Sequence, residues 1–286
     1  MTENAVNTQS TKSTQSMTVL VTGASGKTGR RVAEAAEAAG HTVRAASRSG
    51  AVRFDWYDPS TWEDALRGAD AAYLAYQPDV GAPGAGEAVG ALARQAVELG
   101  VRRIVLLSAR GEDQAEPTER AVRESGAEWT VVRASWFAQN LSEGHLLDGM
   151  REGELVFPGG EVLEPFIDTR DIADVVVAVL RPDSGYAGRV VEVSGPRLLS
   201  FRDAVAEIAA AAGREIRYAP VSAREYGGAL AEFGVPEEET EFLIELFETN
   251  LDGRNARLSE GVREILGREP RDFADFAREH AGVWKV

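Results

Sequence analysis

The glycine-rich segment at residues 21–29, which reads VTGASGKTG, constrains the fold of this chain more than any other feature. It joins an apolar, β-branched run to an alanine-rich segment with helical spacing, and therefore predicts a turn between a strand and a helix. A triphosphate-binding loop would need glycine at position 21, where the chain has Val21. The even spacing of Gly23, Gly26 and Gly29 instead predicts a dinucleotide-binding turn.

The three glycines have different predicted roles in this turn. One permits the tight turn, the next lets a pyrophosphate approach the backbone, and the third lets the helix pack against the sheet. The pyrophosphate then lies at the positive N-terminal end of the helix. A glycine turn that binds no ligand is the alternative. The cofactor contacts predicted in this segment are Gly23, Ser25, Gly26, Lys27, Thr28 and Gly29.

Strand-like and helical patterns alternate from Thr18 to Arg133. This alternation predicts an α/β fold with a doubly wound parallel sheet and helices on both faces. Beyond Arg133 the pattern loosens and becomes mostly helical. We expect a NAD(P)-binding Rossmann core over residues 17–155 and a smaller substrate lobe, interleaved with the core, over residues 156–286. The polar residues 1–16 are interpreted as a disordered extension or a cloning remnant.

The composition excludes several classes of function. With 46 acidic and 31 basic residues the net charge is −15, which argues against binding to nucleic acid or to an anionic membrane. No apolar run approaches the ~20 residues of a membrane span, so we expect a cytoplasmic protein. The chain has no cysteine, and its three histidines are scattered, so no metal site is predicted.

The end of the second predicted strand indicates which cofactor is bound. An acidic residue there would bind the ribose 2′-hydroxyl of NAD, but the chain has Ala46, Ser47 and Arg48. The Arg48 guanidinium can hold a 2′-phosphate, which predicts NADP(H) in preference to NAD(H). A solvated surface arginine is the alternative. Asp55 and Trp56 follow the third strand, where a carboxylate can reach the adenine amine.

Two local predictions concern the region after the sixth strand. Residues 136–150 have a helical pattern, which would place His145 two turns beyond Phe137 and within reach of the site. A structural or solvent-facing histidine is the alternative. Asp168, Asp171 and Asp174 resemble a carboxylate cluster, but Asp171 is better explained as the cap of a helix that runs to Leu180.

Several motifs occur in an order that resembles the NmrA-like, atypical branch of the short-chain dehydrogenase/reductases. They are TVLVTGASGKTGRRVAEAAEAAGHTVRAASRS, FDWYDPSTWEDALRGADAAYLAY, VRRIVLLSARG, SGAEWTVVRASWFAQNL and EPFIDTRDIADVVVAVL. The resemblance runs from about Met17 to Phe276. It implies a Rossmann domain with a smaller substrate lobe that binds NADP(H). Members of the family include quinone and dye reductases, phenylpropanoid ether reductases and non-catalytic redox sensors.

The resemblance also identifies a missing catalytic pair. Typical short-chain dehydrogenases carry a serine and a Tyr-x-x-x-Lys motif, in which the tyrosine supplies a proton. Ser108 stands at the family's serine position, but Ala115 and Glu119 align with the tyrosine and the lysine. None of the six tyrosines is followed by lysine four residues later. The usual alcohol–ketone mechanism is therefore not expected.

The same resemblance implies which residues surround the reacting groups. The segment that begins at Arg133 lines the nicotinamide in the family, and Ser108 and Arg133 are therefore predicted cofactor contacts. Trp136 and Phe137 are predicted to stack on a flat substrate near Asn140, with core packing as the alternative. The glutamates of residues 236–250 are interpreted as a solvated helix face, and the resemblance implies that this helix also walls the substrate pocket.

These observations favour an NADPH-dependent reductase of a quinone-like or conjugated small molecule. Such acceptors take hydride with modest proton assistance, so the missing pair does not exclude transfer. The alternative is a non-catalytic NADP(H)-binding redox sensor that acts through a protein partner. An isomerase or epimerase is disfavoured because such members keep the tyrosine. A homodimer is compatible with the sequence, which does not fix the oligomeric state.

Overall fold

The computed structural model describes residues 16–285. The predicted N-terminal extension therefore lies, apart from Ser16, outside the described residues. Ser16 donates a hydrogen bond to the Gly40 carbonyl oxygen at 2.8 Å. Within the described part of the chain, no helix combines the length and the apolar character that crossing a membrane requires.

Seven strands form one parallel sheet, as the alternating pattern predicted. The strands of the chain are β1 (Thr18–Val21), β2 (Thr42–Ser47), β3 (Val52–Arg53), β4 (Ala71–Leu74), β5 (Arg103–Ala109), β6 (Glu128–Ala134), β7 (Glu154–Phe157), β8 (Leu163–Glu164), β9 (Arg189–Val193), β10 (Leu199–Ser200) and β11 (Arg217–Pro220). The sheet order is β3-β2-β1-β4-β5-β6-β9, and every neighbouring pair is parallel. The chain therefore reverses its winding between β1 and β4, where ligands bind in open α/β sheets.

Helices cover both faces of this sheet and form most of the C-terminal region. They are α1 (Gly29–Ala38), α2 (Trp62–Leu66), α3 (Ala85–Glu98), α4 (Glu116–Arg123), α5 (Leu146–Glu152), α6 (Thr169–Leu180), α7 (Phe201–Ala212), α8 (Ala223–Glu232), α9 (Glu237–Asn250), α10 (Gly261–Leu266) and α11 (Phe273–Glu279). One apolar core joins α1 and α6 to the sheet, and a second joins α2, α3 and α4 to its other face. A third core, rich in aromatic rings, holds the later elements together.

The segment predicted as one helix over residues 136–150 is broken, which corrects that prediction. Phe137 is extended and pairs with Ile167, so that Ala138 N–H donates to the Ile167 carbonyl at 2.8 Å. A single 3-10 turn follows at Ala138–Leu141, and α5 starts only at Leu146. The bridge to Ile167 fixes the backbone in an extended form that no helix can contain.

The cap of α6 is also different from the prediction. The helix starts at Thr169, and the Asp168 carboxylate accepts from the Arg170 N–H as its N-cap. Asp171 lies in the first turn of the helix and is fully buried, where it accepts from the Arg271 N–H at 2.7 Å and pairs with Arg268. The aspartates are therefore held by arginines, and Asp171 ties α6 to the C-terminal region instead of capping it.

Candidate functional site

The glycine turn closes tightly against the first helix. Gly23 has a φ of +61°, which favours glycine, and its carbonyl accepts from the Gly26 N–H at 2.8 Å. A Cβ atom on Gly29 would lie 2.2 Å from the Gly23 oxygen, so α1 can begin there only with glycine. The N–H groups of Ser25, Lys27 and Thr28 have no acceptor among residues 16–285. They lie at the N-terminal end of α1, and free amides at a helix N-terminus favour a bound anion.

A cleft of about 640 Å³, here called the large cleft, opens over this turn at the carboxyl edge of the sheet. It is bordered by the glycine turn, the end of β2, the segment after β3 and the segment after β4. The predicted cofactor residues that line it are Gly23, Ser25, Gly26, Lys27, Thr28, Arg48, Asp55 and Trp56. Gly29 is the one predicted turn residue that does not line the large cleft, because it is buried behind the turn.

The side chains of the large cleft fit a phosphorylated dinucleotide. Arg48 is exposed at the end of β2 and forms no ion pair within the described part of the chain. Asp55 accepts from the Tyr57 N–H at 3.0 Å, while the Trp56 indole donates to the Ala75 carbonyl at 3.0 Å. The Thr28 hydroxyl accepts from the Tyr73 hydroxyl at 2.9 Å, which fixes this side chain against β4.

Lys27 connects the large cleft to a second cavity. Its ammonium donates to Asn140 Oδ1 at 2.9 Å, and burial lowers the pKa of Lys27. The nearby Glu143 carboxylate opposes that shift and is itself paired with Arg30 and Arg31. The cationic side of the cleft is therefore held by a charge network that spans the gap between α1 and the chain after β6.

The second cavity, here called the small cavity, has a volume of about 180 Å³ and lies next to the large cleft. Phe137 lines both, so the two spaces meet at its ring. The structure therefore brings the three predicted substrate residues together around the small cavity, namely Trp136, Phe137 and Asn140. Leu246 and Asn250 of α9 also line it, whereas the α9 glutamates are exposed.

Trp136 combines the two roles that the sequence left open. Its ring packs against Phe157 and Phe201 with centroid distances of 5.4 and 5.5 Å, which makes it part of the aromatic core. The same side chain borders the small cavity. Its indole N–H has no hydrogen-bond partner among the described residues. Trp136 thus supplies a rigid aromatic wall, fixed from behind by other rings.

Glu119, which aligns with the catalytic lysine of typical short-chain dehydrogenases, is buried at the centre of a polar network. Ser108 Oγ donates to Glu119 Oε1 at 2.7 Å, and Arg133 donates to both carboxylate oxygens at 2.7 Å. Burial alone would raise the pKa of Glu119, but the hydrogen bonds from Arg133 and Ser108 hold it below its usual range. Ala115 is buried in the apolar core beside α4.

Two of the predicted cofactor contacts lie outside the large cleft. Ser108 lines the small cavity with its hydroxyl already bonded to Glu119. Arg133 borders neither space, because its guanidinium is engaged by Glu119. His145 also borders neither space and stands exposed at the start of α5. None of the three lines the large cleft, and a cofactor contact by Ser108 or Arg133 stays a prediction.

Four charged side chains at the small cavity were missed by the sequence analysis, namely Asp79, Arg110, Glu112 and Glu164. Glu112 follows β5, Glu164 belongs to β8, and the buried Arg110 guanidinium lies 3.3 Å from a Glu192 carboxylate oxygen. Burial and the nearby Asp79 raise the pKa of Glu112 to about 9, and burial raises the pKa of Glu164 to about 7. The only sequence signal for Glu112 was its place beyond the carboxyl end of a central strand.

Comparisons with known proteins agree with this geometry. The model of the NmrA-like family matches residues 15–276. An uncharacterized oxidoreductase, YesF of Bacillus subtilis, is 33% identical over 86% of this chain and 88% of its own length. The NAD(P)H azoreductase of Xenophilus azovorans is 32% identical over 80% of this chain and 82% of its own.

The fold has a close match among solved structures. The triphenylmethane reductase of Citrobacter sp., solved in complex with NADP(H), superposes with a TM-score of 0.71 at 17% identity. The match covers 93% of this chain and all of that one. At this identity the likeness concerns the fold alone.

Proposed function

The chain belongs to the NmrA-like family, and from this premise we propose that it is an NADPH-preferring reductase of a quinone-like or otherwise conjugated small molecule. More generally, it is an NAD(P)H-dependent oxidoreductase, in agreement with the relatives named oxidoreductase and NAD(P)H azoreductase. The observation that carries the finer proposal is the meeting of the two cavities at Phe137. A cofactor in one space and an acceptor in the other would contact each other there.

The large cleft supplies what the cofactor needs for binding and orientation. The free amides of the glycine turn would hold the pyrophosphate, and Arg48 would hold the 2′-phosphate. Asp55 and Trp56 would border the adenine. The nicotinamide ring of the cofactor would lie next to Leu107 and Phe137, which also line the large cleft. When bound, NADPH supplies the hydride, and the chain's own residues supply placement.

The small cavity favours a flat and compact acceptor. Its volume of about 180 Å³ is below the roughly 300–1,000 Å³ of pockets for drug-sized ligands, which points to one or two rings. Trp136 and Phe137 offer aromatic surfaces, and Leu246 offers an apolar one. The relative named NAD(P)H azoreductase supports an acceptor with a conjugated system.

The cofactor preference can be tested at Arg48. We expect Arg48→Asp to weaken NADPH binding roughly 10- to 100-fold, since a hydrogen bond to a charged group contributes about 1.5–3 kcal/mol. NADH binding should change less than about threefold, because NADH has no 2′-phosphate. Calorimetric titration with each cofactor measures both constants.

A nearby arginine provides the matched control for this test. Arg53 is 73% exposed in its side chain, lies on β3 and does not line the large cleft. Arg53→Asp makes the same change in net charge, and NADPH affinity should stay within twofold of wild type. Equal losses of NADPH and NADH affinity in Arg48→Asp would contradict the preference for NADPH.

The redox sensor remains the second candidate, because Glu119 occupies the lysine position in a purely structural network. The deciding experiment mixes the protein with NADPH and a panel of quinones, azo dyes and enones, and follows the loss of nicotinamide absorbance. Turnover of at least one conjugated acceptor supports the reductase. Tight NADPH binding with no turnover of any acceptor would favour the sensor.

A further inference from the structure

Glu112 and Asp79 form a carboxyl pair at the wall of the small cavity. Glu112 is buried, and its Oε1 atom has no conventional donor within the described residues. It lies within hydrogen-bonding reach of Asp79, whose Oδ1 accepts from the Gly81 N–H at 2.8 Å. Contact between two carboxyl groups is favourable only when a proton lies between them. Glu112 is the buried member of the pair and Asp79 is half-buried, so the shared proton is placed on Glu112.

No cation among the described residues neutralises Glu112. Arg254 reaches Asp113 and the Gly111 carbonyl instead, and Arg110 donates to the Arg257 carbonyl. The carboxylate of Glu119 on α4 adds further negative charge. The Gly81 amide favours ionisation but is outweighed, and the pKa of Glu112 stays at about 9. Glu112 is therefore a neutral acid under ordinary conditions.

The pair also lies close to the junction of the two spaces. Gln77 and Pro78 line the large cleft, and the next residue, Asp79, lines the small cavity. In the same way, Leu107 lines the large cleft and the next residue, Ser108, lines the small cavity. An acceptor that fills the small cavity therefore contacts the carboxyl pair on one side and the cofactor cleft on the other.

We propose that Glu112 is the proton donor of the acceptor site, held in place by Asp79. The inference rests on the proposed reductase function. The hydride would come from NADPH, which loses a nicotinamide C–H bond and is oxidised to NADP⁺. Its arrival would form a new bond to hydrogen on the acceptor and leave the electron pair of the reduced double bond on an oxygen or nitrogen. The Glu112 O–H bond then breaks, and a new O–H or N–H bond forms on the acceptor. The Glu112 carboxylate regains its proton from water.

Other groups at the small cavity are less suited to this role. The described lining contains no tyrosine, and the Ser108 hydroxyl already donates to Glu119. Glu164 is the competing acid, but the charge of Arg110 favours its ionised form. Glu164 therefore holds its proton less firmly than Glu112 at neutral pH.

The protonation of Glu112 can be measured without any turnover. Infrared spectra of the full chain should show a protonated carboxyl band that disappears as the pH passes about 9. Glu112→Gln should lack this band, and Asp113→Asn should keep it, because Asp113 is the neighbouring acid with a 91% exposed side chain. Loss of the band in Glu164→Gln instead would assign the proton to Glu164 and overturn the proposal.

Protein stability gives a second measurement of the same proton. The folded chain holds a proton that an ordinary glutamate releases near pH 4.5, so stability is lost as the pH rises from 4.5 to about 9. Glu112→Gln needs no proton and should have the higher Tm at pH 8. A lower Tm at that pH would indicate that Glu112 is ionised in the folded chain, against the proposal.

The kinetic test uses the acceptor that the wild type reduces fastest in the panel. We expect Glu112→Gln to lower kcat roughly 100-fold, as loss of a general acid does, while NADPH affinity stays within twofold. The wild-type rate should fall above pH 9, and that fall should be absent from the variant. Asp113→Asn should keep both the rate and the pH profile.

Failure of this inference is distinguishable from failure of the proposed function. Wild-type turnover that is unchanged in Glu112→Gln, or lost in Glu164→Gln alone, would overturn the role of Glu112 and leave the reductase intact. Absence of wild-type turnover with every acceptor would remove both.

Discussion

Gly29→Ala is expected to weaken cofactor binding roughly 100-fold and to lower the stability of the fold. The added methyl would lie 2.2 Å from the Gly23 carbonyl oxygen, a backbone atom that cannot rotate away. Overpacking of this kind costs roughly 1–3 kcal/mol, and relief requires the turn to separate from α1. That shift would misplace the amides of Ser25 and Lys27, with an expected loss of NADPH affinity of roughly 100-fold. Calorimetric titration and thermal unfolding measure the two effects.

Gly228→Ala is the matched control for this substitution. Gly228 lies in α8, is exposed, and has no neighbouring atom within 4 Å of the place that a Cβ methyl would occupy. Alanine there should stabilise the protein by up to about 1 kcal/mol and leave NADPH binding unchanged. If Gly29→Ala binds NADPH as tightly as the wild type, the glycine turn does not hold the pyrophosphate.

Glu119→Lys restores the residue type of typical short-chain dehydrogenases, yet it should unfold the protein instead of activating it. The Glu119 side chain is 1% exposed and is bonded to Arg133, Arg123 and Ser108. A lysine there would bury an ammonium group beside the Arg123 and Arg133 guanidiniums and remove the carboxylate that they share. Breaking a buried ion pair costs about 3–5 kcal/mol, and repulsion adds to that cost. Chemical denaturation measures the change in the free energy of unfolding.

The control for this charge reversal lies one turn earlier on the same helix. Glu116 is 46% exposed and makes only looser contacts with Arg120 and Arg123, at 3.5 and 3.9 Å. Glu116→Lys should cost about 1 kcal/mol or less. A Glu119→Lys variant as stable as Glu116→Lys would mean that the buried network does not secure α4 to β5 and β6.

The sequence predicted the sheet and the large cleft because both depend on local patterns. The glycine spacing, the strand before it and the helix after it lie within residues 18–38, and the structure confirms them. The absence of an acidic residue at the end of β2, next to Arg48, can also be read directly from the sequence. Such features follow from backbone geometry and periodicity, which a single chain displays without any knowledge of its tertiary contacts.

The small cavity was less predictable because its polar groups meet only in three dimensions. Glu112 faces Asp79 across 33 positions of sequence, and Arg110 reaches Arg257 across 147. Arg133 was assigned to the cofactor by resemblance, and its partner Glu119 could not be identified from spacing. The break after Trp136 likewise depends on the distant Ile167. Trp136, Phe137 and Asn140 were placed by resemblance, and the structure brings them together.

Some expectations remain predictions. The division into a core over residues 17–155 and a lobe over residues 156–286, the cytoplasmic location and the homodimer fall in this group. The absence of nucleic-acid partners rests on the net charge alone.

The large cleft and the small cavity are lined by different parts of the chain. The lining of the large cleft ends at Gly144, whereas the small cavity depends on Leu246, Asn250 and Asn255. Local opening or clipping of the C-terminal helices would therefore erase the acceptor space and spare the residues of the cleft. A sample titrated with NADPH would count such damaged molecules as competent. The fraction of active molecules is therefore better measured by titration with a ligand that fills the small cavity, because that cavity needs the C-terminal helices.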